Sequence, residues 1–106
     1  MAKGFGSIMR QAQQMQKKMA QISDELKNMT AQGESGQGQV KAEVTCDYTV
    51  KSVQIARELA DPEDTETLED LIVLAVNDAM EKARAIKEEK MGKVTGGLSG
   101  QIPGLF

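Results

Sequence analysis

The sequence contains no histidine and a single cysteine among its 106 residues. Without histidine, a Cys–His nucleophilic pair and the usual Cys/His zinc sites are excluded. Cys46 can form no internal disulfide, and it ends an alternating apolar run, which predicts a buried strand residue and not a reactive thiol. These absences argue against an enzyme, and we expect no cofactor, no metal site and no small-molecule substrate.

Aromatic residues are also scarce, at 3%, although 40% of the chain is hydrophobic and 27% is charged. A chain of this length suits one domain with a thin aliphatic core, and a second copy would supply further burial. No apolar run approaches the roughly 18 residues of a membrane span, and the amino terminus lacks the pattern of a secretory signal. We therefore expect a soluble cytoplasmic protein with no membrane partner.

The net charge of −3 conceals a strong segregation of charge along the chain. Residues 1–28 carry a net charge of +3 and residues 80–106 a net charge of +2, whereas residues 61–79 carry −7. Contacts with phosphate depend on the local field. The acidic whole-chain pI of about 5.0 is therefore compatible with a polyanionic partner at the two basic ends.

The first third of the chain has apolar residues at alternating spacings of three and four, which predicts a helix from about Gly6 to Asn28 with one narrow apolar stripe. We call this stripe the α1 seam. Because the seam is narrow and only weakly hydrophobic, burial against a second copy is favoured, although packing within one chain is the alternative. The seam comprises Phe5, Ile8, Ala12, Met15, Met19, Ile22, Leu26 and Met29.

Cations lie on the opposite side of this predicted helix. Lys3, Arg10 and Lys17 recur every seven residues, with Lys18 beside them. Such a spacing repeats at roughly 10 Å along one face, so several cations could meet phosphate oxygens together. A solvated face that maintains solubility is the alternative interpretation.

The middle of the chain predicts a small antiparallel sheet. Alternation over residues 39–46 indicates a strand with one buried face, and a second strand over residues 50–57 is expected to bury Val53 and Ile55. Residues 29–35 are a weaker extended segment, followed by glycine turns. Tyr48 is ill suited to a tight turn with positive φ, so a loop of three or more residues with a partly exposed ring is expected.

A second helix is predicted from about Thr65 to Met91. Asp61 and Pro62 suit its start, and the acidic residues that follow complement the helix dipole, which explains them better than a metal or acid/base site does. Its first half is apolar almost all round, so it should contact both the sheet and another element or subunit. Its second half is charged and contains Lys87 and Lys90. Glycine is dense after Gly92, so residues 92–106 are expected to form a flexible tail, which includes Lys93.

The whole chain resembles the YbaB/EbfC family of bacterial nucleoid-associated proteins. The resemblance rests on the order and spacing of several segments across nearly all 106 residues, and no single segment decides it. They are Met9-Arg-Gln-Ala-Gln-Gln-Met-Gln-Lys-Lys, the Gly-Glu-Ser-Gly run at Gly33 before the Val40 strand, Asp61-Pro-Glu-Asp continuing to Leu68-Glu-Asp-Leu-Ile, Asn77-Asp-Ala and the final Pro-Gly-Leu-Phe. The turn at residues 47–49 lacks the Asn-Gly common in the family, which leaves the hairpin register open.

The resemblance implies an α+β subunit of α-β-β-β-α order with a three-stranded sheet between two helices. It also implies a homodimer with projecting helical arms that binds double-stranded DNA and helps to organise the nucleoid. We thus expect a single domain over residues 1–106, divided into an arm (1–28), a sheet (29–58), a second helix (61–91) and a tail (92–106).

The family offers no compact binding motif to transfer, so candidate site residues come from the charge and apolar patterns. The expected DNA-binding residues are Lys3, Arg10, Lys17, Lys18, Lys87, Lys90 and Lys93. The expected dimer contacts are Ile8, Met15, Met19, Ile22, Leu26, Leu71, Val73 and Leu74. A competing hypothesis is a homodimeric protein-interaction scaffold that uses the acidic region and the helical arms, with DNA binding incidental.

Overall fold

Two helices and a three-stranded antiparallel sheet make up the computed structural model, which describes residues 2–99 and the side chains of residues 4–93. The predicted α+β class and the α-β-β-β-α order are thereby confirmed. The sheet has the strand order β1-β2-β3. The elements are α1 (Ala2–Asn28), β1 (Thr30–Ser35), β2 (Val40–Thr45), β3 (Val50–Ile55), a 3-10 turn (Arg57–Leu59) and α2 (Thr65–Ser99).

Helix α2 lies directly on strand β1 at Gly33. A Cβ atom placed on Gly33 would lie 2.5 Å from the carbonyl oxygen of Ala75 and 2.8 Å from the Cα of Ala79. Ala75, Ala79 and Ala83 are fully buried along this side of α2. Small residues on both elements therefore let the two backbones approach more closely than larger side chains would allow.

Two polar contacts fix α2 along β1. The Glu34 amide donates a hydrogen bond of 3.0 Å to the Asp78 carboxylate, and the Ser35 hydroxyl donates one of 2.5 Å to the Leu71 carbonyl. The Glu34 hydrogen bond, and then the neighbouring Lys82, lower the pKa of Asp78. Because both contacts involve particular backbone atoms of one element, they define the position of the helix along the strand.

The core lies between α2 and the first two strands. Val40, Ala42 and Val44 of β2 are buried beneath the helix, as the alternating sequence predicts. Cys46 is fully buried just beyond the end of β2, which confirms the predicted buried position. Burial, together with the adjacent Asp47, raises the pKa of the Cys46 thiol.

Helix α1 joins this core only through its carboxyl-terminal end. The Cys46 amide donates hydrogen bonds to the carbonyls of Leu26 and Met29, at 3.1 and 2.8 Å. Leu26 is 2% exposed and Ile22 is half-buried, whereas residues 7–21 are exposed apart from the half-buried Met15. We call residues 4–21 the α1 arm. Its projection and the length of the 35-residue helix α2 together give a radius of gyration of 20.0 Å, against about 13 Å for a compact domain of this length.

The hairpin between β2 and β3 has a defined register. Val40 pairs with Ile55, Ala42 with Val53 and Val44 with Val50, and an irregularity between Glu43 and Val44 accommodates an extra residue in β3. Tyr48 adopts a positive φ of 69° at the tip, contrary to the expectation that its bulk would keep it out of such a conformation. Its ring is 41% exposed.

Strand β3 is more exposed than its sequence predicts. Helix α2 packs across β1 and β2, and β3 lies beyond it. Val53 is therefore only half-buried and Ile55 is 41% exposed, so the prediction that Ile55 is buried is wrong. The apolar face of β3 exists as predicted, but the described helices leave much of it exposed.

Helix α2 begins at Thr65, as predicted, but its capping residue and its carboxyl-terminal end differ from the prediction. Asp64, and not Asp61, accepts a hydrogen bond from the Thr67 amide in the first turn, whereas Asp61 accepts one from the Glu63 amide in a turn before the helix. The helix continues past Met91 to Ser99, which corrects the predicted start of the tail at residue 92. Gly92 costs the helix only about 1 kcal/mol, which neighbouring helix formers can offset. Residues 100–106 of the predicted tail lie outside the described residues.

Replacing Gly33 with alanine should strongly destabilise the fold. The added methyl group would collide with the α2 backbone, which cannot rotate away, so we expect a loss of at least about 3 kcal/mol in the free energy of unfolding. Urea unfolding followed by circular dichroism at a fixed chain concentration measures this loss.

Gly92→Ala is the matched control for this change. Nothing lies within 4 Å of a Cβ at position 92, and alanine favours a helix by about 1 kcal/mol over glycine. The control should therefore unfold at an equal or higher urea concentration than the original chain. An unchanged midpoint for Gly33→Ala would contradict the close packing of β1 on α2.

Candidate nucleic-acid interface

The α1 arm presents the first group of candidate cations. Arg10 and Lys17 are exposed and line one shallow depression together with Gln13, Gln14 and Ala20. They are seven residues apart, which places them on one side of the helix at a separation of roughly 10 Å along its axis. The side chain of Lys3 lies outside the described residues, so its place on this surface stays a prediction.

A second group of cations gathers where α1 meets the carboxyl-terminal half of α2. Lys18 of α1 and Lys90 and Lys93 of α2 line one crevice with Ile22 and Glu25. We call this the junction crevice. The structure thus brings three of the candidate DNA-binding residues together from segments far apart in the sequence.

Carboxylates accompany the two α2 cations of the junction crevice. The Lys90 ammonium lies 3.2 Å from the Glu25 carboxylate, and that of Lys93 lies 3.9 Å from Glu89. Both pairs are substantially exposed to solvent. Exposed pairs of this kind contribute about 0–1 kcal/mol, so a phosphate group could displace either carboxylate at small cost.

Lys87 occupies a separate position beside the hairpin tip. Its ammonium group lies 5.0 Å from the centre of the Tyr48 ring. This is within the distance of a cation–π contact. The Tyr48 ring therefore holds the Lys87 ammonium group. Lys90 lies nearby, one helical turn further along α2.

The acidic region, residues 61–79, includes the first half of α2, and three of its seven carboxylates have local structural roles. Asp61 and Asp64 accept the turn and capping hydrogen bonds, and Asp78 accepts the Glu34 amide. Within the described part of the chain, no group of three or more acidic or cysteine side chains is arranged to hold a metal ion. Positive and negative charges are thus separated along the long axis of the molecule.

Among the described residues, no helix is long and apolar enough to cross a membrane.

Comparison of the sequence with known protein families indicates the class of molecule that the chain binds. The model of the YbaB/EbfC DNA-binding family matches residues 1–98. The chain belongs to this family.

Two relatives of this YbaB/EbfC family member are bacterial and bear the name nucleoid-associated protein. The relative from Acetivibrio thermocellus is 42% identical, and the match covers 97% of this chain and 94% of the relative. The relative from Ruminiclostridium cellulolyticum is 41% identical, with 97% of this chain and 92% of the relative covered. These names favour DNA binding over the alternative of a protein-interaction scaffold.

A solved structure supports the fold. The crystal structure of an uncharacterized protein from Helicobacter pylori superposes with a TM-score of 0.62, covering 74% of this chain and 90% of the other. The two sequences are 22% identical. At this identity the likeness shows the architecture alone.

The predicted dimer contacts of the YbaB/EbfC chain divide into three groups. Ile8, Val73 and Leu74 are 57–64% exposed and Met19 is 37% exposed, so one chain leaves them uncovered. Leu26 of α1 is buried in the core of the same chain, which corrects its assignment to a subunit contact. A third set consists of half-buried side chains, namely Met15, Ile22 and Leu71.

Three residues of the candidate surfaces were missed by the sequence reasoning. Val50 and Ile55 of β3 are 46% and 41% exposed, and Tyr48 lies against Lys87. Alternating apolar residues revealed that β3 has an apolar face, but alternation cannot say how many strands a helix covers. The pairing of Tyr48 with Lys87 joins positions 39 residues apart, and no local pattern signals it.

Proposed function

We propose that this protein is a non-enzymatic, nucleoid-associated protein that binds double-stranded DNA, largely without sequence specificity, and helps to organise the nucleoid or regulate gene expression. The observation that carries the proposal is the separation of charge. Cations occupy the α1 arm and the junction crevice, whereas residues 61–79, before and within the first half of α2, contain seven acidic residues and no cation. Membership of a DNA-binding family and the names of the two bacterial relatives support the same function. A bacterial cytoplasm, at the nucleoid, is the corresponding location.

The cations of the α1 arm are available for phosphate. Among the described residues, Arg10, Lys17 and Lys18 make no ion pair with a carboxylate. Each phosphate that they neutralise would release condensed counterions from the DNA, which favours binding at low salt. Phosphate contacts carry no sequence information, so this mode of binding suits a protein that coats or organises DNA.

The junction crevice would add contacts by exchange of ion pairs. Lys90 and Lys93 can transfer from Glu25 and Glu89 to phosphate groups, because their present pairs are exposed and weak. Lys87 lies one turn before Lys90 on α2. The three lysines thus continue the arm surface across the junction of the two helices.

We further propose that the binding unit is a homodimer. One chain leaves apolar side chains exposed on β3 and on the first half of α2, namely Val50, Ile55, Val73 and Leu74. The amino-terminal part of the α1 seam is exposed as well, at Phe5 and Ile8 above all. A second copy would cover such surfaces and double the number of basic arms, which raises affinity for a long polyanion.

Reversing the charge of the α1 arm tests the DNA contact. We expect Arg10→Glu, Lys17→Glu and Lys18→Glu together to weaken binding to a duplex by at least about 100-fold, because three phosphate contacts per chain are lost and replaced by repulsion. Fluorescence anisotropy at several salt concentrations measures both the affinity and its salt dependence. The slope of log affinity against log salt should fall by about 0.9 for each lost phosphate contact.

The matched control reverses three exposed cations of the body, Lys41, Lys51 and Arg57, and so changes the net charge of the chain by the same amount. We expect a far smaller loss of affinity from this control. Equal losses from both triple variants would show that the overall charge of the molecule, and not the α1 arm, governs binding.

The dimer is tested by placing charge in the exposed apolar surface of α2. Val73→Glu together with Leu74→Glu should convert a species of twice the 11.5 kDa chain mass into a folded monomer, because carboxylates resist burial in an apolar contact. Sedimentation equilibrium measures the mass. Ala85→Glu, at an exposed position of the same helix, should leave the dimer intact. A wild-type chain that sediments as a monomer would refute the proposal.

A further inference from the structure

The tip of the β2–β3 hairpin carries a bulky aromatic residue in a conformation that favours glycine. Tyr48 has a φ of 69°. For a large side chain this left-handed conformation is disfavoured, whereas glycine adopts it freely and asparagine tolerates it. Turn geometry therefore does not explain a tyrosine at this position. A cost of this kind is characteristically retained where the side chain has another role.

The contact with Lys87 supplies such a role. The Tyr48 ring meets the Lys87 ammonium at 5.0 Å from its centre, and the ring remains 41% exposed. A ring in this position limits the rotamers of a long, flexible lysine. The Lys87 ammonium group is consequently held beside the hairpin tip, and fewer of its side-chain conformations are populated.

The charges around this contact favour an anion. Lys90 follows Lys87 by one turn of α2, and the junction crevice adds Lys18 and Lys93. Four carboxylates lie nearby in the structure or in the sequence. Glu25 and Glu89 pair with Lys90 and Lys93, Asp47 accepts a hydrogen bond from the Thr45 hydroxyl within the hairpin, and Glu88, next to Lys87 in the sequence, is exposed to solvent. The two ion pairs are exposed and weak, so the ring and Lys87 border a surface with cations available for exchange.

We propose that Tyr48 is a positioning residue that holds Lys87 for contact with a phosphate of double-stranded DNA. This inference rests on the proposed function and extends the DNA-binding surface from the two helices to the tip of the sheet. Tyr48 acts through Lys87, whose ammonium group its ring contacts. The contact joins the hairpin and α2, so the sheet takes part in binding even though its strands carry no basic stripe.

A double-mutant cycle in the full chain tests the proposal. Tyr48→Asn, which suits the positive φ, should keep or raise the melting temperature yet weaken duplex binding about fivefold, because the freed Lys87 side chain must then be ordered when DNA binds. Lys87→Gln should weaken binding at least as much. The double variant should bind no more weakly than Lys87→Gln alone, because the effect of Tyr48 passes through Lys87.

Two further readouts separate positioning from a structural role. Tyr48→Phe keeps the ring and should bind within about twofold of the original chain. Tyr48→Asn should lower the salt-dependence slope by nearly as much as Lys87→Gln does, because both remove the same phosphate contact. If Tyr48→Asn fails to fold, Tyr48→Gly provides the same deletion without backbone strain.

The outcomes distinguish this inference from the proposed function. A wild-type chain that binds duplex DNA, with unaltered affinity in the Tyr48→Asn variant, would overturn the inference alone. Additive losses of affinity in the double variant would also overturn the inference alone. So would a Tyr48→Asn variant that loses more affinity for single-stranded than for duplex DNA, because that result would indicate stacking of the ring on a base. A wild-type chain that binds no duplex DNA would overturn the proposed function and this inference with it.

Discussion

The close approach of β1 to α2 at Gly33 is the contact on which the rest of the structure depends. It places the buried alanines of α2 against the strand without intervening side chains. The hydrogen bonds to Asp78 and from Ser35 then fix the helix along the strand. With this register set, the basic second half of α2 extends past the hairpin tip, where Lys87 meets Tyr48, and reaches α1 at Glu25.

A second constraint is the way in which α1 is attached. Only its last turns enter the core, through Leu26 and the two hydrogen bonds donated by the Cys46 amide. The remainder projects from the body, and the longest dimension of the molecule is 73 Å. An exposed helix with one apolar seam and one basic side is poorly stabilised by its own chain. The same feature makes it suitable for two external partners, a second copy along the seam and a polyanion along the cations.

Much of the fold could be predicted from the sequence because its signals are local. Spacings of three and four identified both helices, alternation identified β2 and β3, and the glycine cluster marked the first turn. What the sequence could not supply is the lateral position of α2 on the sheet. That position decides that Leu26 is buried, that Ile55 is exposed and that Gly33 must lack a side chain.

The candidate site likewise combines features that the sequence predicts with features that depend on tertiary packing. Heptad spacing correctly placed Arg10 and Lys17 on one side of α1, since a single helix determines that relation. The gathering of Lys18 with Lys90 and Lys93 depends on how two distant helices meet, and the sequence supplied only the sign of their charge. The sequence predicts an end of α2 near Met91 because glycine disfavours a helix at position 92, whereas the structure continues the helix to Ser99.

These contacts build a body and a projecting arm on which the basic surfaces of α1 and of the second half of α2 lie away from the acidic residues 61–79. The most direct test is lysine footprinting of the wild-type chain, in which acetylation of each lysine is measured by mass spectrometry with and without duplex DNA. The account predicts that DNA protects Lys17, Lys18, Lys87, Lys90 and Lys93, while Lys41 and Lys51 of the sheet react as before. Protection of Lys41 and Lys51, with the lysines of α1 and α2 unchanged, would contradict it.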